Sequence, residues 1–333
     1  MNNLKDKINT YSKLILGSWQ FGGGYFKQVE KETAKKILKK AYDHGIRNID
    51  TARAYGNGIS EKIIGEIIEK DPTIRENILI ASKCYPMEIS EYRENFNESL
   101  KNLKTDYIDI YYIHWPKADF DLRPIASFLE EMRVKGRIKY VGVSNFEISH
   151  MESIKKVCKI DVNQIGYNPL FRNKEKDVIP YCEDNNIATI SYSTIAQGLL
   201  SKANIKDKNK FNDIRTEKLI LFKKEIWPYT LKTINKLEEI AKINNLTILE
   251  LTYSWLKKTK LSGFIVGFSK ENYVESNVNS FKAEINDKVY EEITSILDNF
   301  NHQTKNFPNL FNKKFKTLKT NISINKLKVN RIS

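Results

Sequence analysis

The sequence contains no apolar run approaching the ~20 residues that a bilayer-spanning helix needs, so no transmembrane segment is expected. The N-terminal stretch MNNLKDKINTYSK carries charge with no apolar core behind it, and no secretory signal is expected there. Cysteine is scarce: Cys84, Cys158 and Cys182 are the three in 333 residues. An odd, sparse set without metal-ligand spacing argues against a disulfide framework and against a metal site, and it fits a reducing compartment, the cytoplasm. There is no Gly/Ser linker, no low-complexity tract and no composition shift that would mark a second domain. A Gly-x-Gly-x-x-Gly turn after the first strand is also missing. The Gly22–Gly24 cluster follows Trp19 without that spacing and reads as a flexible turn.

Acidic residues are lacking in one place above all. The last thirty positions, Thr304 to Ser333, hold eight basic residues and no acidic one. They account for more than half of the net charge of +14, and the first 303 residues carry +6. A balance of that size suits an enzyme that uses a phosphorylated cofactor. A basic tail can bind nucleic acid or anionic lipid. Phe307, Leu310, Phe311 and Phe315 within it favour a tail that is solvated or docked on the body, and no nucleic-acid partner is expected. The division read from this is 1–303 as one domain and 304–333 as a tail.

What is present is a repeat. A short β-branched run, a polar turn and an amphipathic helix recur along the chain. The strand-like runs are 14–19, 46–50, 78–83, 107–114, 140–146, 162–168, 188–193 and 263–269. Helical periodicity fills the spaces, as over Glu32 to His44, Glu91 to Leu103, Ile125 to Lys135, His150 to Cys158 and Lys232 to Asn244. Strands alternating with helices imply a parallel sheet, and eight units favour a closed (β/α)8 barrel over an open, doubly wound sheet. One segment breaks the repeat: 201–230, a long Lys- and Asn-rich connection after the seventh strand that contains Trp227–Pro228–Tyr229.

In such a barrel the active site lies at the C-terminal ends of the strands. Those ends carry Asp50, Lys83, His114, Ser144 with Asn145, Gln164 and Tyr192, and Tyr55 follows Asp50 by five residues. Singly, each has a plain structural reading: a solvated lysine, an aspartate that caps a helix. Four ionisable groups converging on one mouth are harder to explain that way. Together they suit carbonyl reduction, which needs a proton donor for a developing alkoxide. A free phenol, with a pKa of ~10, is too weak an acid near neutrality. A lysine ammonium beside it would lower that pKa, a carboxylate would keep the buried lysine charged, and an imidazole can orient the carbonyl oxygen.

The segment Asp50-Thr51-Ala52-Arg53-Ala54-Tyr55-Gly56, continued by Asn57-Gly58-Ile59-Ser60-Glu61, strongly resembles the aldo-keto reductase signature. The resemblance extends through Lys83 in IASKC, His114 in YYIHWP, GRIKYVGVSNF, Asn163–Gln164, Tyr167–Asn168, Tyr192–Ser193 and Gly198–Leu199–Leu200, covering roughly residues 10 to 300. It implies that Tyr55 is the proton donor, that Lys83 and Asp50 tune it, and that His114 orients the carbonyl. It implies NADP(H) stretched across the barrel mouth, with NAD(H) as the alternative. Ser144, Asn145 and Gln164 match the residues that hold the carboxamide, and Tyr192 matches the aromatic that stacks on the nicotinamide. Gly17, Ser18 and Trp19 match positions beside cofactor and substrate. Ser193, Ile195, Gln197, Gly198, Leu199, Gly267, Ser269, Lys270, Tyr273 and Asn277 complete the implied cofactor contacts. Where the family usually places basic residues for the adenosine 2′-phosphate, this chain has Ser269 and Tyr273, with Lys270 as the cation nearby. The substrate pocket implied is Trp19, Tyr55, His114 and Trp115.

The expected function is reversible reduction of an aldehyde or ketone. The alternatives are a sugar or polyol dehydrogenase working oxidatively, and a cofactor-sensing regulatory subunit of a membrane channel, a role known among relatives of this fold. Reduction of a carbon–carbon double bond is disfavoured, because relatives that perform it replace the histidine by glutamate and this chain has His114. Substrate choice is assigned to the loops Gly22 to Gln28, Pro116 to Arg123 and 201–230. Cys84, Trp255 and His44 read as structural. The sequence implies no oligomeric state.

Overall fold

Alternation within eight short strands decides which side chains face the barrel axis and which face the helices. In the computed structural model, which describes residues 3–23, 28–202 and 219–305, the strands are β1 (Leu14–Gly17), β2 (Asn48–Asp50), β3 (Leu79–Cys84), β4 (Ile108–Ile113), β5 (Ile138–Ser144), β6 (Val162–Gly166), β7 (Ala188–Tyr192) and β8 (Gly263–Gly267). All pair in parallel in chain order, and β8 returns to β1, so the sheet closes into a barrel. The open-sheet alternative is thereby excluded.

Two layers of apolar side chains result. Ile80, Tyr111, Ile113, Val141, Val143, Phe264 and Val266 point outward and are buried by the helices. Ile15, Leu79, Ala81, Ile110, Tyr112, Val162, Ala188, Ile190 and Ile265 fill the interior. The helix Leu4–Tyr11 closes the bottom of the barrel by adding Leu4 and Ile8 to that inner cluster. Full burial of each such aliphatic side chain contributes about 1.5–3 kcal/mol.

Several boundaries differ from the sequence expectation. β1 stops at Gly17, and Trp19–Gly22 is a helical turn: the Ser18 amide makes the last rung of the ladder to the Asp50 carbonyl at 2.9 Å, and Ser18 itself then leaves the extended conformation (φ −102°, ψ 15°), its carbonyl accepting the Phe21 amide at 3.0 Å. Trp227–Pro228–Tyr229, expected within the long connection, instead opens the helix Trp227–Ile243, with proline in the first turn, where its missing N–H costs no helical bond. The preceding turn Ile220–Phe222 is also ordered, and the residues between it and Lys202 lie partly outside the described set. The final helix Asp287–Thr304 runs one residue past the expected domain boundary at 303. The tail from 306, the tip of the first substrate loop (24–27) and residues 203–218 lie outside the described residues. No described helix is long and apolar enough to cross a membrane.

Candidate active site

Counting by two along each strand from the inward core residues predicts the mouth. On β3 the series Leu79, Ala81 leads to Lys83. On β4, Ile110 and Tyr112 lead to His114. On β7, Ala188 and Ile190 lead to Tyr192. The same parity brings Asp50, Ser144 and Gln164 inward, with Gly17 opposite both Asp50 and Gly267 and Ser144 opposite Gln164.

Asp50 and Lys83 are both at most 3% exposed. The Lys83 ammonium donates to Asp50 Oδ1 at 2.6 Å and to the Thr51 carbonyl at 2.7 Å, and stands 3.5 Å from the Tyr55 hydroxyl. His114 meets the Tyr55 ring edge-on, with centroids 6.0 Å apart. Trp19 stacks on Tyr55 with centroids 6.0 Å apart. Trp115 is half-buried next to His114. Tyr55, Lys83, Asp50 and His114 are therefore brought together as expected.

Their electrostatics differ from the simple expectation. Burial pushes the Asp50 carboxyl up and the Lys83 ammonium down, and each is opposed by the other's charge. The Tyr55 phenol lies well above the ordinary tyrosine range, first because its hydroxyl is buried and then because it faces the Asp50 charge, with Tyr85 and Tyr192 adding to the effect. The Lys83 ammonium beside the hydroxyl is itself paired with Asp50 at 2.6 Å, which offsets part of its field.

The loop that carries Tyr55 is anchored by a buried chain of hydroxyls. Thr51 Oγ1 donates to Ser60 Oγ at 2.8 Å, Ser60 Oγ to Ser18 Oγ at 2.7 Å, and Ser18 Oγ to the Asp50 carbonyl at 2.8 Å. Ser18 is fully buried, so its hydroxyl serves this anchor. Gly22 and Gly56 meet backbone to backbone: a Cβ on Gly22 would lie 2.2 Å from the Tyr55 carbonyl carbon, and one on Gly56 at 2.2 Å from the Gly22 oxygen. Gly22 is thus a close-approach glycine, where a flexible turn was expected. Behind Lys83, the buried Glu61 accepts from Ser82 Oγ at 2.6 Å and Asn102 Nδ2 at 3.1 Å.

Across the mouth, Asn145 adopts a left-handed backbone (φ +62°). Its amide donates to Ser144 Oγ at 2.8 Å and accepts from the Tyr192 hydroxyl at 2.7 Å. Gln164 Nε2 donates to Asp50 Oδ2 at 2.7 Å. After β7, Ser193, Ala196, Gln197 and Gly198 all have positive φ, and Gln197 Nε2 donates to Ser193 Oγ at 3.1 Å. Leu199 is buried in the core, whereas Ile195 and Gly198 are half-buried. Gly267, the last residue of β8, and Lys270 beyond it are exposed, Ser269 and Tyr273 are half-buried, and Lys270 Nζ sits 5.9 Å from the Tyr273 ring. Asn277 is buried, its amide already engaged by the Tyr253 hydroxyl at 2.5 Å and the Tyr273 carbonyl at 2.7 Å.

Sequence reasoning missed Tyr85. It lies two residues past Lys83, on the same inward parity, and stacks on His114 with centroids 4.5 Å apart and planes 19° from parallel. Counting two further along β3 would have found it. The readings of Cys84 and Trp255 hold: the Cys84 thiol is buried and pushed up to about 12, and Trp255 is 1% exposed between Tyr167 and Tyr290.

Known proteins share this build. The aldo-keto reductase YhdN of Bacillus subtilis is 29% identical over 300 residues, covering 86% of this chain and 90% of that protein. The NADH-specific methylglyoxal reductase of Escherichia coli is 29% identical over 307 residues, covering 84% and 92%. The structure of a glycerol dehydrogenase from Gluconobacter oxydans superposes with a TM-score of 0.77 at 25% identity, covering 91% of this chain and 94% of that one. The model of the aldo/keto reductase family matches residues 13–298, the whole barrel from β1 into the last helix, and with that match the chain belongs to the aldo/keto reductase family, oxidoreductases that act on carbonyl groups with a nicotinamide cofactor.

Proposed function

We propose that this chain reversibly reduces an aldehyde or ketone to the alcohol with NADP(H), and that Tyr55 gives the proton. The observation that carries the reading is the Lys83 ammonium, fully buried and held between Asp50 at 2.6 Å and the Tyr55 hydroxyl at 3.5 Å. The donor set at the mouth fits a nicotinamide: the amides of Asn145 and Gln164 and the hydroxyl of Ser144 can pair with a carboxamide, and the Tyr192 ring stands beside them. When bound, that cofactor supplies the hydride. Tyr55, protonated through neutral pH, donates to the carbonyl oxygen, and His114 beside it orients that oxygen. The left-handed residues Ser193, Ala196 and Gln197 after β7 cost conformational energy, as ligand clamps do, and support cofactor phosphates lying there.

Lys270 is the exposed cation next to Ser269 and Tyr273, and it supports NADP(H) over NAD(H). One partly screened charge contact supplies on the order of ten- to a hundredfold preference. Lys270→Ala should remove most of that preference and leave NADH affinity nearly unchanged, read by fluorescence titration with both cofactors. Equal losses for the two would show that Lys270 does not read the phosphate. A polyol dehydrogenase working oxidatively is the second reading, favoured by the likeness to the Gluconobacter oxydans enzyme. A panel of aldehydes, dicarbonyls, ketones and polyols with each cofactor, followed by NAD(P)H absorbance, tests both. No turnover on any member would overturn them.

A further inference from the structure

The Asp50 carboxylate has two anchors, and they come from opposite sides of the barrel. Oδ1 accepts from Lys83 on β3 at 2.6 Å, and Oδ2 accepts from Gln164 on β6 at 2.7 Å. Both Asp50 and Gln164 are 3% exposed, so water does not replace either partner cheaply. Gln164 is also among the groups suited to holding a carboxamide. A primary amide has two donor hydrogens and an acceptor oxygen, and Asp50 uses one donor, which leaves capacity toward the mouth.

We propose that Gln164 is a positioning residue for proton transfer: by donating to Oδ2 it keeps Asp50 ionised and turned toward Lys83, and so couples the carboxamide site on β6 to the Asp50–Lys83–Tyr55 chain. This rests on the reading of Tyr55 as proton donor. The chemistry of the pocket requires such a tie. Among the described residues Lys83 is the cation paired with Asp50, and it is shared with the Thr51 carbonyl and the Tyr55 hydroxyl. Burial drives Asp50 toward its neutral acid, and Gln164 opposes that drive along with Lys83. The other groups facing this cluster do not substitute for it. Tyr112 on β4 is fully buried beside both Asp50 and Gln164 and is held protonated by burial. Glu61, in the helix Ile59–Lys70, acts on Lys83 from behind as an anion. Tyr85, His114 and Tyr192 line the mouth around Tyr55. Of these groups, Gln164 is the neutral donor on the carboxylate.

Without that donor the carboxylate form of Asp50 is destabilised and its pKa rises. Activity that needs ionised Asp50 is present above that pKa and lost as pH falls through it, so the acid limb moves up. The variants are Gln164→Leu and, if that chain does not fold, Gln164→Met, which keeps the length and lacks the donor. Ser144→Ala is the control, since Ser144 belongs to the carboxamide site and does not touch Asp50. Two measurements apply. The first is the 13Cγ titration of Asp50 in cofactor-free protein, assigned by its loss in Asp50→Asn. The second is kcat for carbonyl reduction against pH at saturating cofactor. In the Gln164 variants both midpoints should rise by about one to two pH units, the scale of one charge-assisted hydrogen bond. In Ser144→Ala neither midpoint should move, whatever the loss in cofactor affinity or rate. Gln164 variants that lose cofactor affinity while both midpoints stay in place would overturn the proposal. If wild type reduces no carbonyl, the reductase reading fails, and the Asp50 titration still decides the role of Gln164.

Discussion

Tyr55 faces the Lys83 ammonium and the charge of Asp50, and burial is the largest influence on its state. A buried phenolate beside a compensated ion pair is costly, so the phenol holds its proton. That suits an acid and handicaps a base. Reduction should therefore stay flat through neutral and mildly alkaline pH, and alcohol oxidation, which needs the phenolate, should still be rising there. Stopped-flow or steady-state kcat in both directions measures this, and coincident pH profiles would contradict the phenol as the shared group. Tyr55→Phe removes the proton and keeps the ring against Trp19. Reduction should fall by about 10²–10⁴-fold, with cofactor affinity by fluorescence titration nearly unchanged. Turnover close to wild type would end the assignment.

At the scale of elements, the site depends on how the loop after β2 rests on the helical turn Trp19–Gly22. The contact between Gly22 and Gly56 leaves no room for a Cβ. Gly22→Ala should displace the Tyr55 loop and lower kcat/KM by about tenfold to a hundredfold, since a displacement of ~1 Å costs up to that much. Gly45, whose added Cβ would meet nothing within 4 Å, gives the contrast. Gly45→Ala carries only the left-handed strain of φ +86°, about 1–2 kcal/mol of stability, with kcat/KM unchanged. A Gly22→Ala enzyme with normal kcat/KM would show that the loop finds its place by other contacts. These elements were unequally legible in the sequence. Position at the C-terminal ends of β3, β4 and β7 marked Lys83, His114 and Tyr192, because in a parallel barrel those ends line the mouth. The end of β1 was not legible: Trp19 and Phe21 continue the apolar character of the strand, and the buried bonds that hold Ser18 at the turn, to the Asp50 carbonyl and from the Ser60 hydroxyl, are made across 32 and 42 residues. The helix Leu4–Tyr11 was hidden for a related reason. Its buried stripe is two residues, Leu4 and Ile8, and its face has meaning only once the barrel bottom exists. The tie from Gln164 to Asp50 spans 114 residues between strands that are not neighbours, so no local pattern announces it.

At the scale of the molecule, the two ends of the barrel do different work. The mouth concentrates buried polar groups whose desolvation is unfavourable for stability, and the bottom is organised to hold the strands. Asp109, fully buried just inside the start of β4, accepts the Ile80 amide of β3 at 3.0 Å, pairs with Arg75 at 2.9 Å and with Lys139 of β5 at 3.0 Å. Arg75 in turn donates to Thr105 at 3.0 Å and to the Tyr107 carbonyl at 2.9 Å, and lies 3.8 Å from the Tyr107 ring. Asp161, just before β6, repeats the arrangement by accepting the Val141 amide of β5 at 2.9 Å. One carboxylate thus fastens three consecutive strands at the end remote from the chemistry. Asp109→Asn keeps the shape and strips the counter-charge from a nearly buried guanidinium, a change that typically costs about 3–5 kcal/mol. The urea midpoint should fall accordingly, while kcat/KM of the folded fraction stays within about twofold, because residues at the bottom of a parallel barrel act on stability and those at the mouth on catalysis. A variant of normal stability would show that Arg75 is satisfied by Thr105 and Tyr107 alone. A variant that folds well and loses turnover would show that the strands transmit strain from the bottom to Lys83, whose β3 neighbour Ile80 is the strand's link to Asp109.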